Sequence, residues 1–418
     1  MESLRDLKSK KIGIYGLGLT GKSVINLLRK NKIKDYFSWD DKTKKTPHVK
    51  KFIDKSDFIV ISPGISLKNS PFKINLLKNK KKIISDLDLF YLLNKKIKMK
   101  TIMITGTNGK STTCKMIEHL FKKVGIKTIT GGNIGKPILS CKIFKKLVYI
   151  IEASSFQLEY SKFIIPNFAI ILNISSDHLD WHKTKKNYQN AKFKIFSNQS
   201  SKDYALLNSK KLILKFKKKK IKSKLIFIKK NFLKFENKIS NYYLNSRTNF
   251  ENMSFVYSIA KKFKINDQNF FSAMNSFKGL EHRQELIYKK KNLTIINDSK
   301  ATSFEATKFA LQKYDNIFWI LGGLPKKNDK IELGKLRNKI HKIFIIGEHA
   351  NFFKKFLKNV EYSLIKNLSS AVKKSIREAK KLDKKTTILL SPSAASYDQY
   401  KNFVDRGNKF KKYVKLYV

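Results

Sequence analysis

The sequence predicts an α/β protein of three domains. Two observations predict it. Short apolar runs that read as buried strands alternate with helical stretches, which implies parallel sheets joined by right-handed crossovers. Glycine-rich turns sit at two of the strand-to-helix joints, and 418 residues suffice for several cores. The expected boundaries are 1–96, 97–279 and 280–418.

The first pattern opens with an apolar run at 11–15, the turn Gly16-Leu17-Gly18-Leu19-Thr20-Gly21 and a helix over 22–30. Strands are expected at 35–39, 58–62 and 82–85. This is a Rossmann-like unit, and Asp40 stands about 20 residues after the turn, where a ribose-binding carboxylate would lie. A dinucleotide or another diphosphate would suit the helix amino terminus equally.

A lysine-rich connector at 94–100 leads to the second pattern, with a strand at 101–105 and a helix at 110–124. Further strands are expected at 148–151, 168–172 and 204–207, and helices at 184–197, 249–263 and 267–277. Residues 209–235 alternate lysine with apolar residues and read as half-buried strands with a solvated face. The third pattern, a second Rossmann-like unit, starts near Gly279, with strands at 293–296, 317–321, 342–346 and 387–390 and helices at 304–313 and 369–381.

The joint of the second pattern reads Thr105-Gly106-Thr107-Asn108-Gly109-Lys110-Ser111-Thr112. Its backbone N–H groups can close on an anion, Lys110 supplies a point charge to the β/γ-phosphates, and a hydroxyl of Ser111 or Thr112 can ligate Mg²⁺. This predicts an ATP site in a P-loop ATPase-type parallel-sheet domain, one residue short of the common spacing. Glu152 ends a strand, where α/β sheets bind ligands, and offers hard Mg²⁺ an oxygen; Asp177 and His178 follow the next strand.

Lys and Arg number 90 against 31 Asp and Glu, a formal charge of +59 that invites a nucleic-acid reading. Arginine, the residue that forks onto bases and phosphates, supplies only seven of the 90. Lys, Asn, Ile, Phe and Tyr share AT-rich codons, so compositional drift explains the excess and no specific nucleic-acid partner is expected. Cys114 and Cys141 make no disulfide framework, and neither a signal peptide nor a run of about 20 apolar residues is present, so a soluble cytoplasmic protein without membrane insertion is expected.

The order G-T-N-G-K-S-T at 106–112, E-A-S-S-F-Q-L-E at 152–159, N-I-S-S-D-H-L-D at 173–180 and His282-Arg283 resembles the ATP-dependent Mur ligases of peptidoglycan synthesis. The blocks N-D-S-K-A-T at 297–302, L-G-G at 321–323, S-P-S-A-A-S-Y-D-Q-Y-K-N-F at 391–403 and Arg406-Gly407 are similar to those of the members that add D-glutamate. The resemblance covers nearly the whole chain. It implies that ATP activates the L-alanine carboxylate of UDP-N-acetylmuramoyl-L-alanine as an acyl phosphate, which the D-glutamate amine attacks, in a monomeric enzyme using ATP and Mg²⁺.

The resemblance also implies roles. Gly106, Thr107, Asn108, Gly109, Lys110, Ser111 and Thr112 would hold ATP, joined by Asn252, Arg283 and Asp298. Ser111, Glu152, His178 and Lys192, the last as a carbamate, would serve metal. Lys110, Asn133, His178 and Lys192 would carry the catalytic work, Asn133 contacting the muramoyl substrate or stabilising its reacting carboxylate. Leu19, Thr20, Asp40, Ser62 and Gly64 would hold the UDP portion, so the first glycine turn would serve a UDP-sugar. Lys300, Thr302, Lys326, Ser396 and Phe403 would hold D-glutamate, with Lys327 an alternative to Lys326. Thr248, Trp181 and Ser303 depart from the usual His, Arg and Asn. Another Mur ligase, a folylpolyglutamate synthase-type ligase and, more remotely, a basic nucleic-acid-binding ATPase are the competing readings.

Overall fold

The computed structural model describes residues 7–418 except 43–47, 95, 96, 98, 230–234, 326–329 and 358. The chain divides into two compact units, residues 1–241 with 247–277, and residues 242–246 with 278–418. The first unit contains two sheets and the second unit one.

Short, mostly apolar segments form the first sheet. β1 (Ile12–Tyr15) pairs in parallel with β2 (Tyr36–Trp39) and β3 (Phe58–Ile61), and β4 (Ile83–Ile84) extends it to the order β2-β1-β3-β4. The glycine turn leads from β1 into the helix Leu19–Lys30, whose Val24 and Leu28, four apart, lie on its buried side.

The second sheet is also parallel. It comprises β5 (Lys100–Thr105), β6 (Thr128–Gly132), β7 (Val148–Glu152), β8 (Phe168–Ile171), β9 (Tyr204–Leu207) and β10 (Lys224–Phe227), in the order β10-β9-β8-β5-β7-β6. Because β5 lies between β7 and β8, with Ile104 opposite Glu152 and Thr105 opposite Ile171, three carboxyl ends emerge side by side. That is where an open α/β sheet presents its ligand crevice. A core of Met103, Tyr149, Ile151, Ala169 and Ile171 fixes these strands.

Polar contacts join the two sheets of this unit. Ser85 and Asp88 form a capping box at the helix Asp86–Leu93. Asp88 also accepts the backbone N–H groups of Lys162 (2.9 Å) and Phe163 (2.7 Å). Both oxygens of buried Asp86 accept from Gln157 at 3.1 Å. Desolvation raises the Asp86 carboxyl to about 6, opposed mainly by the Gln157 hydrogen bond.

In the second unit the sheet order is β11-β12-β16-β13-β14-β15, for β11 (Glu285–Lys290), β12 (Leu293–Asn297), β13 (Ile317–Gly322), β14 (Ile340–Ile346), β15 (Tyr362–Leu364) and β16 (Thr386–Leu390). All pairs are parallel except β11 with β12. That edge departs from the all-parallel expectation because only two residues join the strands, and Lys291 turns there at φ 46; a parallel connection needs a long crossover.

A second correction concerns 209–235. Lys210–Lys218 is a helix rather than a strand, because Leu212 and Phe216, four residues apart, bury one stripe while Lys210, Lys211, Lys217 and Lys218 are exposed. Only Lys224–Phe227 of that region is a strand, and 230–234 lie outside the described residues.

Candidate active site

The loop after β5 is braced from the loop after β8. The Asn108 N–H donates to the Asn173 side-chain oxygen at 2.9 Å, the Asn173 amide donates to the Asn108 carbonyl at 3.1 Å, and Thr107 N–H donates to the Asn173 carbonyl at 3.0 Å. Gly109 stands at φ +85 as N-cap of the helix Lys110–Lys123, and a Cβ there would lie 2.5 Å from the Asn252 oxygen. The helix first turn carries no acidic residue and its N-cap no side-chain acceptor, leaving an electropositive terminus suited to phosphate. Lys110 donates to the Gly106 and Thr107 carbonyls, both at 2.8 Å.

Glu152, the last residue of β7 and 2% exposed, accepts from Ser111 at 2.6 Å and from the Asn133 amide at 2.8 Å. Thus Ser111, Asn133 and Glu152 meet at one point. Gly132 permits this: at φ +103, a Cβ would come within 2.4 Å of the Glu152 carbonyl oxygen.

Lys192 is 1% exposed, with its ammonium 2.9 Å from the Gly106 carbonyl and over the Tyr188 ring at 4.6 Å. Burial first, then the Lys110 charge, push its pKa well below the usual lysine range, while Asp177 and Glu152 oppose the shift. Tyr188 lies with its hydroxyl 3.1 Å from that of Thr107 and its ring 6.3 Å from that of His178. His178, at φ 53, lies 3.3 Å from Asp177. Tyr188 has no signal in the sequence, because a tyrosine four residues before a lysine marks no local motif.

In the first sheet, Asp40 accepts the Leu17 N–H at 2.7 Å and the Lys42 N–H at 3.0 Å, which lowers its pKa. It therefore holds the glycine turn in shape. Ser62 donates to the Gly16 carbonyl at 2.7 Å, which brings the 62–64 turn to the same loop; Gly64 is open to added volume, and Leu19 is 77% exposed beside half-buried Thr20.

The second unit gathers the loops after β12, β13 and β16. Asp298 accepts from Ser391 at 2.8 Å and the Gln284 N–H at 3.1 Å; desolvation lifts its carboxyl to about 7, against the Ser391 and Gln284 hydrogen bonds and Arg283. Lys300 lies 3.9 Å over the Phe403 ring, Ser396 is buried and Thr302 half-buried. Lys326 and Lys327 lie outside the described residues. Arg406, 1% exposed, has no role in the sequence reading beyond its motif. It donates to the Ser299 hydroxyl (3.0 Å) and to the carbonyls of Ser299 (2.9 Å), Ala394 (3.0 Å) and Gly322 (3.4 Å), knitting all three loops. Gly407 leaves room for His282, whose Nδ1 would lie 2.2 Å from a Cβ there.

A family model for the Mur ligase middle domain matches residues 104–279. The fold is shared with MurF ligase of Thermotoga maritima, solved with ADP (TM-score 0.61, 13% identity, covering 99% of this chain and 100% of that one). It is shared also with the UDP-N-acetylmuramate-alanine ligase MurC of that organism (TM-score 0.58, 16% identity, covering 98% and 100%). The middle-domain match, together with relatives that span nearly the whole chain, defines the class, an ATP-dependent Mur ligase. The UDP-N-acetylmuramoylalanine--D-glutamate ligase of Wolbachia sp. subsp. Brugia malayi is 33% identical, covering 97% of this chain and 96% of its own. That of Rickettsia prowazekii is 34% identical, covering 96% and 97%. The chain belongs to the UDP-N-acetylmuramoylalanine--D-glutamate ligase family.

Proposed function

We propose that this enzyme joins D-glutamate to UDP-N-acetylmuramoyl-L-alanine, using the residues assembled around the loop 106–112. The observation that carries the site assignment is the meeting of Ser111, Glu152 and Asn133 beside a helix amino terminus built for phosphate. The donor chemistry fits Mg²⁺: a hydroxyl and a buried carboxylate are hard oxygen ligands. Among the described residues no group of three His, Cys, Asp or Glu stands ready for a metal, so the set depends on Ser111, Glu152, His178 and a modified Lys192. Bound there, Mg²⁺ would neutralise charge on the transferring phosphoryl group.

Lys110 would exchange its loop carbonyls for ATP phosphates. Asn133 would orient the substrate carboxylate, and Asn252, Arg283 and Asp298 would contact the nucleotide. The lowered pKa of Lys192 favours the neutral amine, the form whose lone pair adds to carbon dioxide; loss of a proton then yields a carbamate. Leu19, Thr20, Asp40, Ser62 and Gly64 would receive the UDP portion. Lys300, Thr302, Ser396 and Phe403, with Lys326 or Lys327, would receive D-glutamate, whose two carboxylates suit cations and hydroxyls.

No helix among the described residues is long and apolar enough to cross a membrane. A monomer working in the cytoplasm fits substrates that are nucleotide-linked and water-soluble. The test is phosphate release with each substrate omitted in turn. Release dependent jointly on UDP-N-acetylmuramoyl-L-alanine and D-glutamate is expected; release driven better by another amino acid, or none with any acceptor, would overturn the proposal.

A further inference from the structure

A cavity of about 440 Å³ lies between the first and second sheets of the first unit, lined by residues that none of the roles above uses. Its cations come from both sides: Lys68 and Lys80 from the first sheet's connections, Lys162 and Lys194 from the second's. Glu159 is the one carboxylate on its wall, and it pairs with Lys194 at 3.4 Å. Lys162 is held in place by the carbonyls of Lys80 (2.7 Å) and Lys81 (2.9 Å). Lys68 and Lys80 are exposed, and neither has a carboxylate partner among the described residues. The pKa of Lys162 is lowered by burial and further by Lys194 and Lys80, against Asp88, as expected where like charges crowd.

Apolar residues make up the rest of the wall: Leu67, Leu77, Ile83 and Trp181. Trp181 is the departure noted in the sequence, and its ring packs against Phe156 (5.0 Å), Tyr160 (5.8 Å) and His182 (4.5 Å). Two exposed ammonium groups without a carboxylate partner among the described residues, together with the half-buried Lys162 and an apolar wall, define a ligand by its chemistry. Ammonium groups take phosphate or carboxylate as point charges, and the wall takes an apolar or flat body.

We propose that this cavity binds a compact amphipathic anion, its acidic head on Lys68, Lys80 and Lys162 and its apolar body on Leu67, Leu77 and Trp181. Such a ligand would bridge the two sheets of the unit alongside the helix that carries Lys192.

Trp181 gives the proposal a reporter, since Trp39 and Trp319 are both buried elsewhere in the cores. Full-length Lys110→Ala protein, with its ATP loop disabled, is titrated with phenyl phosphate, 3-phenylpropionate and inorganic phosphate in about 0.15 M KCl, a salt level that screens loose surface attraction. A saturable change in fluorescence is expected with at least one aromatic anion, absent after Trp181→Phe. Half-saturation should rise at least about tenfold in Lys68→Ala/Lys80→Ala, as loss of charge-assisted contacts requires. A response to phenyl phosphate alone assigns a phosphate head, one to 3-phenylpropionate alone a carboxylate head, and one to both an anion of either kind. No response, an unchanged half-saturation in the double variant, or equal potency of inorganic phosphate would each overturn the proposal. Both lysines are exposed, so the variants remain folded. Failure here would leave the ligase assignment untouched, since that rests on phosphate release.

Discussion

Ser111 and Glu152 share a 2.6 Å hydrogen bond although 41 residues separate them, and both are buried. The bond exists because β5 and β7 are neighbours with Ile104 opposite Glu152. It sets a hydroxyl and a carboxylate together at the first turn of the helix Lys110–Lys123.

Lys110→Ala removes the loop's only cation and should lower phosphate release by at least about 100-fold, the cost of losing a group that neutralises developing charge. Lys219, exposed at the end of the helix Lys210–Lys218, serves as the contrast. Lys219→Ala should stay within about twofold of the parent, since its field is screened by solvent and salt. Equal losses would show that the lysine excess acts as a whole.

Lys192→Ala should be inactive, and a short carboxylate such as acetate should restore part of the activity by supplying the missing oxygen ligand. The assay is phosphate release with and without acetate. Activity of the variant without any added carboxylate would refute a carbamate at this position.

Arg406→Ala should destabilise the second unit by about 3 kcal/mol or more, because it strands the carbonyls of Ser299, Ala394 and Gly322 without their buried donor. A fall of about 6–12 °C in thermal midpoint corresponds to that loss for a unit of this size. Arg406→Lys should recover little, because a single ammonium does not span acceptors on three loops.

Asp86 makes stability fall as pH rises. Its folded pKa of about 6 lies above its ordinary value of 3.8, so between those values the native state holds more protons than the unfolded state. The contribution is fully present below about pH 4 and lost as pH passes 6, amounting to at most about 3 kcal/mol. Asp86→Asn should therefore gain stability relative to the parent between pH 4 and pH 7 in urea unfolding; parallel curves would contradict the burial of a charged carboxylate.

Strand positions are legible wherever a short apolar run is bounded by turn-forming residues such as Gly, Asn, Asp or Ser, because such a run has no other place than a buried parallel sheet. The run at 204–207 is β9, and 317–321 falls within β13. Weakly buried edges were not legible: β15 has only one residue of three better than exposed. Lys210–Lys218 is a helix where strands are expected, because lysine interleaved with apolar residues satisfies two periods at once, and only packing of Leu212 and Phe216 selects the helix.

By itself the sequence determined the local chemistry: a glycine loop with a lysine and hydroxyls, strand ends carrying Glu152 and Asn173, and too little arginine to make +59 a nucleic-acid signature. These are properties of neighbours along the chain. Tertiary structure alone decided that Asn173 braces the phosphate loop, that Arg406 ties three loops of the second unit, and that Lys68, Lys80 and Lys162 converge beside Trp181. Those relations depend on which strands lie side by side and on what is buried between them, and neither spacing nor composition along one chain encodes a distance across it.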